Sequence, residues 1–170
     1  MQIDPVVLQT LYPELRRMAR RARQRAGRPT SFATTELIHE AWLRLGAQGE
    51  WCDPSHYLAT AARAMRYVLI DTARARMRLK RAGRQVFAPW DDGAALSIAD
   101  TAINDERLID LGDVLDRLEH RDPRLAAIVE CRFFAGYSEA ETALAIGVTD
   151  RTVRRDWVKA KAWLTRELAA

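Results

Sequence analysis

The chain has only two cysteines, three histidines and eight glycines in 170 residues. Cys52 and Cys131 lie far apart, and neither has partners at metal-ligand spacing. A disulfide framework and a zinc site are therefore not expected, and the pair reads as reduced, intracellular and buried. His39, His56 and His120 are scattered, no glycine-rich phosphate loop occurs, and no acidic pair stands at metal spacing beside a histidine. His39 and Glu40 are adjacent, so on a helix they point to different parts of the surface. Catalytic residues, a metal and a cofactor are thus not expected, and an enzyme is disfavoured. Long apolar runs are missing too: no segment approaches the ~18 residues of a membrane span. The opening "MQIDPVVLQTLY" has neither the basic segment nor the apolar run of a signal peptide. The expectation is a cytoplasmic protein with no membrane insertion.

What is present is helix. Hydrophobic residues make up 48% of the chain, enough for a core, and the net charge of +4 permits a nucleic-acid partner without proving one. Leu8, Leu11, Leu15, Met18 and Ala22 recur at helical spacing over residues 7–25, and "GRP" ends that run. A second stripe is Leu37, Ile38, Ala41, Trp42 and Leu45. Asp53 then reads as an N-cap with Pro54 at the first helical position. The helix it starts runs to about residue 81, with Leu58, Ala61, Ala62, Met65, Leu69 and Ala73 inside. Residues 83–105, "GRQVFAPWDDGAALSIADTAIND", hold several Gly or Pro punctuators and no sustained period, as a flexible linker would. Charge changes sign there: residues 51–82 carry seven basic and two acidic side chains, residues 83–110 two basic and six acidic. The fold expected is all-α, with two small helical domains, 1–82 and 106–170, joined by that linker.

The second domain is the more informative. One helix is expected over 106–120, with Leu108, Leu111, Leu115 and Leu118 inside, and another over 125–134. Ser138 with Glu141 makes a capping box. Ala140, Ala143 and Leu144 form the inner face of a short helix, Gly147 permits a tight turn, and Thr149 caps the helix that follows. That last helix buries Val153, Trp157, Ala160 and Leu164 and turns Arg151, Arg154, Arg155 and Lys159 outward. A short helix, a Gly-hydrophobic-Thr turn and a second helix with basic first turns describe a helix-turn-helix unit, whose second helix can enter a major groove. The bland reading is a helical hairpin with a solvated basic face. Likewise Arg74, Arg76, Arg78, Lys80, Arg81 and Arg84 crowd one helix end, where they either complement its dipole or neutralise phosphates.

Taken in order, these stretches resemble a bacterial RNA polymerase sigma factor of the extracytoplasmic-function group. "ELIHEAWLRL" and "YLATAARAMRYVLIDTARARMRLKRAG" are similar to the second conserved helix and the promoter-melting helix of the sigma-2 domain. The segment from "VLDRLEHRDPRL" through "TVRRDWVKAKAWLTREL" is similar to the sigma-4 domain, and "TVRRDW" with "AKAWL" resembles a kinase-associated subgroup. The resemblance implies a dissociable polymerase subunit that directs transcription initiation. Its first domain would grip the β′ clamp helices and hold the −10 element; its second would bind the β flap and read the −35 element. By position, Glu36, His39, Glu40 and Arg44 would face the polymerase. Arg63, Arg66, Tyr67, Asp71, Arg74 and Arg78 would lie near −10 DNA, with Tyr67 able to stack on a flipped base. Arg151, Thr152, Arg154, Arg155 and Lys159 would face the −35 element. Trp42 and Trp157 are expected in the core, whereas Trp90, in the linker, fits packing or stacking. The acidic linker, with Asp91, Asp92, Asp100 and Asp105, suits a basic polymerase channel or plain solvation.

One stretch departs from the family pattern. Where these factors carry an acidic run resembling Asp-Ala-Glu-Asp, this chain has Ala33, Thr34, Thr35 and Glu36. Polymerase binding by the unmodified chain is therefore expected to be weak. Phosphorylation of Thr34 or Thr35 by a serine/threonine protein kinase would add about −1.5 to −2 charges at a helix N-terminus. The plain alternative is that Thr34 caps the helix. An anti-sigma factor is a further possible partner. Two rival functions remain: a helix-turn-helix regulator that acts without polymerase, and a protein-binding adaptor.

Overall fold

The computed structural model describes residues 5–27, 33–46, 53–83 and 103–169. Seven α-helices and one π-helical turn account for nearly all of them, and no strand occurs among the described residues. The chain is all-α, as its periodicity requires. The expected linker falls mostly outside the described residues, as do Cys52 and Trp90.

Helix α1 spans Pro5–Arg25 and buries Leu15, Met18 and Ala22, with Leu11 packed at the edge. The Leu8 side chain lies outside the described residues. Helix α2 spans Thr34–Gly46 and buries Leu37, Ile38, Ala41 and Leu45. Helix α3, Pro54–Arg81, starts as its sequence directs: the Asp53 carboxylate accepts the His56 N–H at 2.9 Å, and Pro54 takes the position where a missing N–H costs nothing. Helix α4, Asp105–Arg121, is capped by Asn104 and buries Leu108, Leu111, Leu115 and Leu118.

The segment expected as one helix over 125–134 is two pieces. Helix α5 spans Pro123–Val129 behind an Asp122 cap, and Glu130–Ala135 form the π-helical turn. The turn closes at Gly136, whose φ of 70° suits a residue without a side chain. A Cβ there would also stand 2.6 Å from Cδ of Arg21. Helix α6, Glu139–Ile146, carries the complete capping box of Ser138 and Glu141. Its inner face differs from expectation: Thr142, Ala143 and Ala145 are buried, Ala140 is exposed, and Leu144 is 74% exposed. Helix α7, Asp150–Leu168, follows the Thr149 cap; it buries Val153 and Ala160 and half-buries Trp157 and Leu164.

Helices on both sides of residues 84–102 feed one core, in which buried side chains of α1, α2 and α3 meet those of α4, α5 and the π turn. A satellite cluster of Ile128, Ala143 and Val153 seats α6 and α7 on α5. At the seam between α3 and α4, Gly112 lets the helices approach; a Cβ there would lie 2.6 Å from Cδ1 of Ile70. Arg21 and Arg25 of α1 reach the other way. Arg21 donates to the Gly136 carbonyl at 3.0 Å, and Arg25 donates to those of Arg132 and Phe133 at 2.6 and 2.5 Å.

The largest fully buried side chain is a charged one, Arg66 of α3, at 0% exposure. It lies 3.2 Å from each of three carboxylates, Asp116 and Glu119 of α4 and Glu130 of the π turn. An arginine removed from water without such partners would leave an uncompensated charge, at a cost of several kcal/mol. Burial pushes the Glu130 carboxyl up to about 7 against the attraction of Arg66 and Arg63, and Glu119 and Asp116 repel it in the same upward direction. The folded chain thus keeps a proton on Glu130 through the range between 4.5 and about 7, where the unfolded chain has released it. Stability should therefore fall as pH rises through that window. Glu130→Gln should remove a slope of about 3 kcal/mol across it, measured by urea unfolding at several pH values.

Candidate nucleic-acid interface

The outer face of α7 is built from its cap outward. The Thr149 hydroxyl accepts the Thr152 N–H at 3.2 Å and lies 3.0 Å from the Thr152 hydroxyl, which fixes the first turn. Arg151, Arg154 or Arg155, and Val158 recur at helical spacing, so they share a face. With Thr152 they line a concavity of about 610 Å³. Arg154 donates to Glu139 of α6 through Nε and Nη2, both at 3.0 Å, and Arg155 donates to Asp156 at 2.9 Å. Arg151 makes no ion pair among the described residues, and its guanidinium is exposed. The arrangement can present several guanidinium groups to an anion while α6 and Asp156 hold two of them in place.

Asp156 was not singled out in the sequence. Its side chain is fully buried beneath this face, with Arg124 of α5 at 3.0 Å, Arg155 at 2.9 Å and Lys159 at 3.9 Å. Burial alone would raise its carboxyl; the Arg155 hydrogen bond and the attraction of Arg124, Arg155 and Lys159 outweigh that and hold it below the usual range. Only three-dimensional packing reveals this role, since an Asp between Arg155 and Trp157 has no local signature.

The α3 residues expected near DNA do line one helix, but most already have partners. Arg63 pairs with Glu119, and its guanidinium lies over the Tyr67 ring. The Tyr67 hydroxyl donates to Glu119 at 3.1 Å. Arg66 is the buried arginine described above. Arg74 pairs with Asp113 of α4 at 2.6 Å and with Asp71 at 3.5 Å, while Asp71 accepts from Arg44 of α2 at 2.6 Å. Arg78 is exposed, with no side-chain partner among the described residues. Arg76 and Lys80 both approach Asp105, at 3.8 and 4.0 Å.

On α2, Glu36, His39, Glu40 and Arg44 are exposed. Trp42, expected in the core, is 48% exposed and stacks on His39 with ring centroids 6.5 Å apart. Its position explains this, because it sits at the edge of the stripe that Leu37, Ile38, Ala41 and Leu45 bury. Leu43 and Tyr12 are exposed too, and Trp42 and Tyr12 line a groove of about 310 Å³ together with Leu15, Ile38 and Tyr57. The N-terminus of α2 differs from the plain expectation as well. Ala33, not Thr34, occupies the cap position, since its carbonyl accepts the Leu37 N–H. Glu36 reaches back to the Ala33 N–H at 3.4 Å, and the Thr34 hydroxyl accepts from Arg23 of α1 at 2.6 Å.

A family model described as "ECF sigma factor" matches residues 3–170. The chain belongs to the ECF sigma factor family. Searches of curated proteins and of solved structures found no match. ECF sigma factors bind RNA polymerase and direct initiation at promoters, and theirs is not an enzyme family. Core polymerase and promoter DNA are the partners that membership implies. Among the described residues no helix is long and apolar enough to cross a membrane, and no group of His, Cys, Asp or Glu is placed to hold a metal ion.

In this sigma factor Asp156 lies buried beneath the α7 face, paired with Arg124 and Arg155. Its depressed carboxyl contributes stability fully above the ordinary Asp value near ~3.9 and loses that contribution as pH falls below it. Asp156→Asn should therefore lower stability by roughly 1–3 kcal/mol at neutral pH, and the gap to the unaltered chain should close in acid. Thermal unfolding at the two pH values measures both.

Proposed function

We propose that this sigma factor reads the −35 element with α7 and holds the −10 element on α3, while α2 docks on the β′ clamp helices of core polymerase. The division that serves this is 1–82 for polymerase and −10 binding, 83–105 as the linker, and 106–170 for the −35 element and the β flap. The observation that carries the reading is the outer face of α7, where Arg151, Thr152, Arg154 and Arg155 stand together behind a short helix and a left-handed Gly147 turn. Such a helix places its first turns in a major groove, where arginine recognises guanine edges and phosphates. The exposed Trp42, Leu43 and Tyr12 beside Glu36, His39, Glu40 and Arg44 suit α2 to a protein partner. The site of action is the cytoplasm, where core polymerase works.

Control by phosphorylation belongs to the same reading. Thr35 is exposed at the second helical position of α2, and Thr34 touches a guanidinium of α1. A phosphate on either would bring negative charge to a helix start that lacks the family's acidic run. A serine/threonine kinase is the controller this favours; an anti-sigma factor would act by covering α2 instead.

Run-off transcription with core polymerase tests the reading, on a promoter recovered from genomic fragments with the same holoenzyme. Arg154→Ala with Arg155→Ala should reduce run-off product about tenfold or more, since each base-reading arginine is worth roughly 1–3 kcal/mol. Full transcription by that variant would overturn the assignment of α7. For the control step, holoenzyme assembly is compared among the unmodified chain, kinase-treated chain, Thr34→Glu and Thr35→Glu. At least one modified form should assemble more tightly, and equal assembly by all four would end the phosphorylation proposal.

A further inference from the structure

The basic face of α3 assigned above to −10 DNA is occupied by carboxylates of the chain itself. Asp113, Asp116 and Glu119 recur every three residues along α4, a rise of about 4.5 Å between neighbours. That row faces α3 and meets Arg74 at 2.6 Å, Arg66 at 3.2 Å from both Asp116 and Glu119, Arg63, and the Tyr67 hydroxyl at 3.1 Å. Glu130 completes the shell around Arg66, and Asp105 lies near Arg76 and Lys80. A nucleic-acid strand presents one charge per ~3.4 Å of axis, so a helix with carboxylates at this interval offers arginines a comparable ladder.

We infer that this is a closed form, in which the acidic row of α4 stands in for a promoter strand on α3 and the two compete for the same guanidinium groups. The inference rests on the proposal that α3 holds −10 DNA. Arg66 has no exposed surface, so no strand can reach it until α4 moves away. The outer pairs suit a joint that opens. Arg63, Arg74 and Asp113 remain partly exposed to solvent, where each ion pair contributes little and salt screens it. The buried cluster around Arg66 is offset by its own desolvation. Opening must still part the apolar core that α4 shares with α3, and the ion pairs themselves are not the lock. What they impose is specificity of fit, assisted by Gly112, which lets α4 close onto Ile70. Docking of α2 on polymerase leaves the α3 face covered, so separation of α4 from α3 is a distinct step before strand capture.

The test uses the full-length chain without polymerase and a fluorescein-labelled single-stranded DNA of mixed sequence at physiological salt. Two variants open the joint by different physics: Asp113→Asn with Glu119→Gln removes competing charge, and Gly112→Leu wedges α4 from α3. Glu106→Gln with Asp110→Asn removes the same net charge from exposed positions of α4 that make no ion pair with α3 among the described residues. Circular dichroism verifies that each variant keeps its helix content. The inference expects at least one opening variant to bind the strand about tenfold more tightly, and the control pair to match the unaltered chain. No tightening by either opening variant overturns it, and equal tightening by the control pair does so too, since that would be a general charge effect. Run-off transcription by Arg63→Ala and Arg74→Ala separates this from the underlying reading. Unchanged transcription in both would remove −10 binding from α3, whereas lost transcription with no effect of the opening variants would remove the closed form alone.

Discussion

A guanidinium with no access to water has to be met by negative charge, and that constraint organises this structure. Arg66 lies near the middle of the longest helix, and its partners come from α4 and the π turn, at least fifty residues further along the chain. Asp116 and Glu119 of α4 supply the charge while Glu130 holds its proton. The apolar core could tolerate small shifts of one helix over another. The carboxylates around Arg66 cannot, because each must keep its distance to one fixed cation. The ion pairs around Arg66 and the buried leucines of α4 thus agree on one register between the two halves.

Around this centre the chain presents surfaces of different character. The α7 face is cationic, supported from below by Asp156 and from the side by Glu139. The α2 face mixes charge with exposed aromatic surface. The α3 face is cationic in composition but neutralised in place. In the third, the guanidinium groups of Arg63, Arg66 and Arg74 already have carboxylate partners within the chain.

Much of the fold was legible in the sequence, because helices announce themselves locally. Asp53 before Pro54, Ser138 before Glu141 and Thr149 before Asp150 each act within a single turn, and each does what its spacing indicates. What was not legible depends on distance or on small angles. Trp42 and Leu144 are apolar, but they fall at or beyond the edge of their stripes, where hydrophobicity alone does not decide burial. Thr34 is a good capping residue beside a poor one, yet Ala33 takes the cap position and the Thr34 hydroxyl accepts from Arg23 of α1 instead. The burial of Arg66 leaves no trace in its neighbours, since an arginine between Met65 and Tyr67 on a basic helix reads as a surface residue. The residues around α7 were found by motif; their supports, Asp156 and Glu139, were not.

The π turn carries a consequence of its own. Its wider winding shifts the hydrogen-bond pattern by one residue, and carbonyls at Arg132, Phe133, Ala135 and Gly136 accept from side chains of α1. Those acceptors are main-chain atoms, identical whatever side chain stands above them. Side chains add to this seam as well: the Arg25 guanidinium lies over the Phe133 ring, and Ala135 is fully buried in the core. The contact is thus written in side chains at the α1 end, and in backbone and side chains together at the other.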